Sequence, residues 1–105
     1  MKFRINRNFR INVGFLVDHQ RIKEATEQTN KILEDLPSTL YCSIDYKTTS
    51  AMVGAIFCDT LAKFTEGVVN PIEKGHPDII PRYGLNSTEE KLRNFGVGLE
   101  INLNP

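Results

Sequence analysis

The chain has no apolar run approaching the ~20 residues that span a bilayer, and its opening MKFRINRNFRIN contains no apolar core for a signal peptide. Those two absences lead to the expectation of a cytoplasmic protein with no membrane partner. It is also poor in cysteine. Cys42 and Cys58 form no CxxC and have no paired histidines nearby, which argues against a zinc site and for two reduced thiols in the core. Net charge is absent as well: 13 basic and 13 acidic residues cancel, so any affinity for nucleic acid has to come from a local patch. What is present is ordinary for a globular protein. With 40% hydrophobic residues in 105, the chain can bury a core without staples, and it reads as a single domain, with a strand-and-helix region over 1–47 and a core over 48–105.

One local patch opens the chain. Phe3, Ile5, Phe9, Ile11 and Val13 fall on one parity, and Lys2, Arg4, Asn6, Asn8, Arg10 and Asn12 on the other, the period of a half-buried strand. The tetrad FRIN occurs twice, six residues apart, so both copies show the same face if the segment stays extended. Lys2, Arg4 and Arg10 can lie along phosphates, or they can be a solvated basic face that protects a sheet edge from aggregation.

After Gly14 the period changes. Asp18 is placed to cap a helix running to about Leu36, with Ile22, Ala25, Thr29, Ile32, Leu33 and Leu36 on one stripe and Pro37 ending it. Alternation returns from Leu40 to Tyr46 and predicts a short strand or extended connection. Thr49 or Ser50 then opens a second helix, apolar or small nearly all round from Ala51 to Cys58, as expected of a central helix packed on a sheet. On its polar face Asp59, Lys63 and Glu66 fall at i, i+4 and i+7. They are either an exposed edge with an Asp59–Lys63 pair or a source of an acidic side chain, Glu66 among them, for a neighbouring metal site.

The last third carries the chemistry. Gly67 ends the helix, and Asn70-Pro71 interrupts a short apolar segment, Val68, Val69 and Ile72, that suits a sheet edge. A polar turn containing Lys74 and His76 leads into Pro77-Asp78-Ile79-Ile80-Pro81, two prolines bracketing a very short strand. Ser87 with Glu90 three residues on predicts a capped helix over Thr88 to Asn94. Val97, Leu99, Ile101 and Leu103 then alternate with Gly98, Glu100, Asn102 and Asn104, which predicts a strand with Glu100 and Asn102 on one face.

A helix opened by a Thr/Ser cap, a short apolar segment, Pro77-Asp78 on a strand and a second strand bearing Glu100-Ile101-Asn102 resembles the order of parts in the PD-(D/E)XK nuclease superfamily, most of all its type II restriction endonuclease branch. The likeness covers about residues 48–102, roughly half of the chain, and the stretch NPIEKGHPDIIP adds to it. The resemblance implies an α/β (α+β) fold with a restriction-endonuclease-like core: a small mixed sheet flanked by helices. Because the family core continues into a further helix and strand whereas this sequence stops at Pro105, a core incomplete at the C-terminus is expected, from a truncated or degenerate member or one that completes its sheet with another copy.

The resemblance also implies Mg²⁺-dependent, site-specific hydrolysis of double-stranded DNA by a homodimer. Asp78 and Glu100 would be the metal-holding catalytic carboxylates, helped by the Ile101 carbonyl. Oxygen donors of this kind suit Mg²⁺, which is commonly held by one or two carboxylates, with water and phosphate oxygens completing the shell. Asn102 stands where the family has a lysine; its amide can hydrogen-bond a water but supplies neither positive charge nor proton transfer. Lys74 is the candidate substitute. His76 either contacts a phosphate or is an ordinary turn residue. From other classes, the alternatives are a noncatalytic α+β interaction module and a nucleic-acid-binding module using Lys2, Arg4 and Arg10.

Overall fold

The computed structural model describes residues 7–43 and 45–101. The alternating N-terminal segment enters it as β1 (Arg10–Asn12), which pairs antiparallel with β2 (Leu16–Asp18), Ile11 lying opposite Val17. Asn12 Oδ1 accepts the Gly14 amide across the turn. β1 is fully exposed, whereas β2 buries Val17, so the hairpin has one inner and one outer strand. The earlier part of the expected strand, with Lys2 and Arg4, lies outside the described residues.

Helix α1 (His19–Glu34) begins where Asp18 was expected to cap it: Oδ1 accepts the Arg21 amide at 3.0 Å, and Oδ2 pairs with the Arg21 guanidinium at 2.9 Å. The Arg21 amide, and after it the guanidinium, holds the Asp18 carboxyl below its usual range. From 38 on the expectation fails. The alternating stretch is no strand but a short helix, α2 (Ser38–Ser43), begun by a turn in which the Leu40 amide donates to the Pro37 carbonyl. Alternation favours a strand only where another strand stands alongside, and this segment joins two helices that pack on each other.

Helix α3 (Tyr46–Lys63) starts earlier than Thr49 or Ser50, because Asp45 caps it, Oδ1 accepting the Thr48 amide at 2.7 Å. Its burial also differs from expectation. Only the last turns are buried, at Cys58, Thr60, Leu61 and Ala62, while Ala51 and Ala55 are exposed. Those last turns meet α1 and β2 in one core made by Phe15, Val17, Ala25, Cys58, Leu61, Ala62 and Ile79.

Beyond α3, β3 (Gly67–Val69) pairs antiparallel with β4 (Ile79–Pro81), Val68 opposite Ile80. All three residues of β4 are buried. The strand expected from Val97 onward is not formed among the described residues: on the other side of β4 only Leu99 makes an isolated bridge, exchanging both backbone hydrogen bonds with Ile79 at 2.8 and 3.0 Å, with Gly98 at φ +148 just before it. A 3₁₀ turn (Arg82–Asn86) leads to α4 (Glu89–Arg93), capped by the Thr88 hydroxyl on the Lys91 amide rather than by Ser87. Among the described residues the fold is therefore mixed α+β, four α-helices with two small antiparallel two-stranded sheets. No helix among them is long and apolar enough to cross a membrane.

One core position is poorly matched to its surroundings. Thr29 of α1 is completely buried and its hydroxyl has no hydrogen-bond partner among the described residues. An unmet buried hydroxyl costs about 1–3 kcal/mol. Thr29→Val is therefore expected to raise stability by about 1 kcal/mol and the melting temperature by about 4–8 °C. A lower melting temperature, read by circular dichroism, would show that the hydroxyl is bonded.

Candidate functional site

The antiparallel register around Ile79 and Leu99 puts Asp78 directly opposite Glu100. Because Ile79 and Leu99 form the hydrogen-bonded pair, the next pair along, Asp78 and Glu100, is the close one, with Cα atoms about 4.5 Å apart in regular geometry. The following bonded pair would join Pro77 and Ile101, but the Pro77 carbonyl that would take the Ile101 amide accepts from the Asn70 side chain. There the ladder changes hands: Asp78 Oδ2, a side-chain atom, accepts the Ile101 amide at 2.8 Å. That bond fixes one carboxylate oxygen against the Glu100 segment, and the other oxygen accepts no hydrogen bond from a described residue.

Gly98 lets the two segments come this close. It adopts φ +148, and a Cβ there would fall on the Ile79 carbonyl and the Pro77 ring. His76, reached through the cis His76–Pro77 bond, supplies the partner of Glu100: its Nδ1 lies 3.3 Å from both Glu100 oxygens, with both side chains half exposed. The His76 backbone is clamped at both ends, its amide on the Arg93 carbonyl and its carbonyl on the Phe95 amide.

Beneath this pair lies Cys58 of α3, whose Sγ is 3.9 Å from the Asp78 carbonyl oxygen. Burial first, then the negative charges of Asp78, Asp59 and Glu100, push its thiol up to about 12. The three carboxylates therefore act on one point. Asp59 is the helix acid nearest this point, and it is tied to Lys63 at 3.0 Å on an exposed face. Glu66 is not. Helix α3 stops at Lys63, and with Gly67 opposite Pro81 the strand register sets Glu66 about four residues from Asp78, on the order of 13 Å along the sheet. The i, i+7 spacing linked Glu66 to Asp59 only on a helix that continued, and it does not.

Other expected residues fall as follows. Lys74 occupies the exposed turn after Pro71 with φ +61, a left-handed backbone unusual for a lysine. Arg10 is exposed on β1, and Asn102 lies outside the described residues. The residue that sequence reasoning missed is Asn70. Its amide extends the β3–β4 ladder to the Asp78 carbonyl at 2.8 Å. Its side chain, buried with the residue only 8% exposed, donates to the carbonyls of Pro77 and Leu92 and accepts the Ile72 amide. Asn70 thus holds the carbonyls of both Pro77 and Asp78. Gly75 packs so tightly on that carboxamide that a Cβ would overlap it. The only hint in the sequence was an asparagine next to a proline at a strand end.

Chemically, the pair offers carboxylate oxygens, the hard donors that a cation such as Mg²⁺ takes, with the Ile101 amide on one of them. Among the described residues no group of three or more His, Cys, Asp or Glu side chains is arranged to hold a metal ion. Comparison with family models, with curated proteins and with solved structures finds no match for the chain.

Two outcomes follow. Asn70→Ala leaves two carbonyls and an amide without their partner and is expected to cost about 2–3 kcal/mol in denaturant unfolding, whereas a loss below about 0.5 kcal/mol would mean that water replaces the side chain. For Cys58, the raised folded value favours the neutral thiol, so its contribution to stability is complete below the ordinary thiol value of 9.0 and is lost as pH climbs from there toward about 12. Alkylation by iodoacetamide at pH 9 should accordingly be far slower in the folded chain than in urea, and equal rates would contradict the assignment.

Proposed function

We propose that the Asp78–Glu100 pair is the acidic half of a metal-dependent phosphodiesterase site, in a chain that acts on double-stranded DNA in the manner of a type II restriction endonuclease. The observation that carries this reading is the register of Ile79 with Leu99, which makes neighbours of two carboxylates 22 residues apart in sequence. Helix α3, the β3–β4 pair and the Leu99 segment on the far side of β4 lend the reading its support, although a 3₁₀ turn and α4 stand between β4 and Leu99.

Mg²⁺ held here supplies a water of lowered pKa and offsets charge on the phosphoryl oxygens. Asp78 and Glu100 bind it, and the Ile101 amide keeps Asp78 from rotating away. His76 Nδ1, 3.3 Å from both Glu100 oxygens, holds Glu100 in place. Lys74, in its exposed turn two residues before His76, is the substitute for the family lysine in this reading, while the strand register sets Glu66 about four residues from Asp78. The same reading implies a homodimer, since a palindromic duplex presents two equivalent strands. The competing reading, a noncatalytic interaction module, draws on one observation: Asp78 already has a structural partner in the Ile101 amide.

Thermal melting with and without Mg²⁺ or Mn²⁺ separates the two. At ten times the dissociation constant, bound metal adds about 1.4 kcal/mol, a rise on the order of 5 °C in melting temperature. Asp78→Asn keeps an oxygen for the Ile101 amide but removes the charge, and is expected to abolish the rise, as is Glu100→Gln. Equal melting temperatures with and without metal in the unaltered chain would leave the interaction module as the better reading.

A further inference from the structure

The register that closes the inner side of the N-terminal hairpin leaves its outer edge open. His19 donates to the Phe9 carbonyl at 3.0 Å and Val13 to the Phe15 carbonyl at 3.1 Å, so Phe9, Ile11 and Val13 are the positions bonded toward β2. At Arg10 and Asn12, between them, the backbone N–H and C=O groups point away from β2, and among the described residues nothing meets them. The edge has none of the usual protections, neither proline nor bulge nor a covering element, and its cation, Arg10, lies opposite Asp18. One face of the edge is also apolar. Ile11 lies opposite Val17, so the two side chains share a face, and Val17 is fully buried while Ile11 is 40% and Phe9 38% exposed. The core layer therefore ends at β1 with apolar residues still uncovered.

We propose that this edge is the contact surface for a second copy of the chain, the two β1 strands pairing antiparallel about a twofold axis at Ile11 in one sheet of order β2-β1-β1-β2. The pattern of the segment selects that register. With Ile11 opposite Ile11, the outward groups of Arg10 meet those of Asn12 in the second copy, two bonded pairs that each exchange both backbone hydrogen bonds. Phe9 then falls opposite Val13 of the second copy, so the apolar row runs unbroken across the axis. Centred on Arg10, the pairing would set two guanidinium groups opposite each other, which is destabilising. Centred on Asn12, it would bring the turn at Gly14 against Arg10. A hairpin alone is marginal, and joining two of them gives each the further strands a stable sheet needs. The contact is short, below the roughly 1,200 Å² of tight specific interfaces, so the expected dissociation constant is on the order of 100 μM. This pairing requires neither metal nor DNA and stands apart from the reading of Asp78 and Glu100.

The test is sedimentation velocity of the full chain, free of metal and DNA, from about 20 μM to about 1 mM, where a monomer should give way to a dimer. Over the same range the backbone amide resonances of Arg10 and Asn12 should shift, and those of Val69 and Glu100 should not. Arg10→Pro removes an outward N–H from each copy and leaves the bonds to β2 untouched, and Ile11→Lys sets two ammonium groups together on the axis. Each should weaken association about tenfold or more. Val69→Lys, an equally exposed apolar position on β3, should leave it unaltered. Where Ile11→Lys disturbs the circular dichroism spectrum, Arg10→Pro decides. A chain that stays monomeric throughout, a dimer unchanged by Arg10→Pro, or concentration-dependent shifts centred on another edge would overturn the proposal.

Discussion

The buried carboxamide of Asn70 is the constraint from which the candidate site takes its shape. Strand β4 is fully buried, so none of its backbone groups can turn to water, and the residues leading into it, Pro77 and Asp78, need partners from the protein. Asn70 provides them, reaching the Pro77 carbonyl with its side chain and the Asp78 carbonyl with its backbone. The same side chain reaches Leu92 at the end of α4, so the helix and the strand entry are fixed by one group. Because the donors are amides in a low-dielectric setting with no competing water, each bond lost leaves an orphan and not a rehydrated group.

With the backbone of Asp78 fixed on one side by β3, its side chain is free to serve the other. The Pro77 carbonyl, the regular acceptor for the Ile101 amide, accepts instead from the Asn70 side chain, and the Asp78 carboxylate takes that amide. The break in the ladder thereby holds an acidic group in a fixed direction beside Glu100. His76 holds Glu100 from the turn, and its own backbone is fastened to Arg93 and Phe95. The site is built at a junction of three segments, β3, β4 and the Leu99 stretch, with α4 bracing the approach. Its acidity is felt below, at Cys58.

Helix caps and strand ends were the legible part of the fold. Asp18 caps α1 as its position before the apolar stripe predicted, and β4 is the very short strand that Pro77 and Pro81 bracket. Errors arose where a local pattern had more than one solution. Leu40 to Tyr46 alternates as a strand does, yet Leu40 to Ser43 lie in α2 and Tyr46 opens α3, with no strand among the described residues paired to them. The apolar run from Ala51 to Cys58 suggested burial on all sides, but α1 and β2 cover only the last turns of α3, leaving Ala51 and Ala55 exposed. Ser87 had the better capping-box spacing, and the chain used Thr88 instead, one residue on.

By itself the sequence determined which segments are helical where a cap and an apolar stripe coincide, where the last short strand stops, and which residues carry negative charge into the final third. Those properties depend on neighbours within a turn or two, and the 3.6- and 2-residue periods report them directly. The tertiary structure alone decided which charges meet. Register across Ile79 and Leu99 made neighbours of Asp78 and Glu100, and the Asn70 side chain joined the Leu92 carbonyl to the strand entry at Pro77. Each of these is a contact between residues far apart in sequence, set by which strand edges remain open and which faces are already covered, and no periodicity along the chain encodes it.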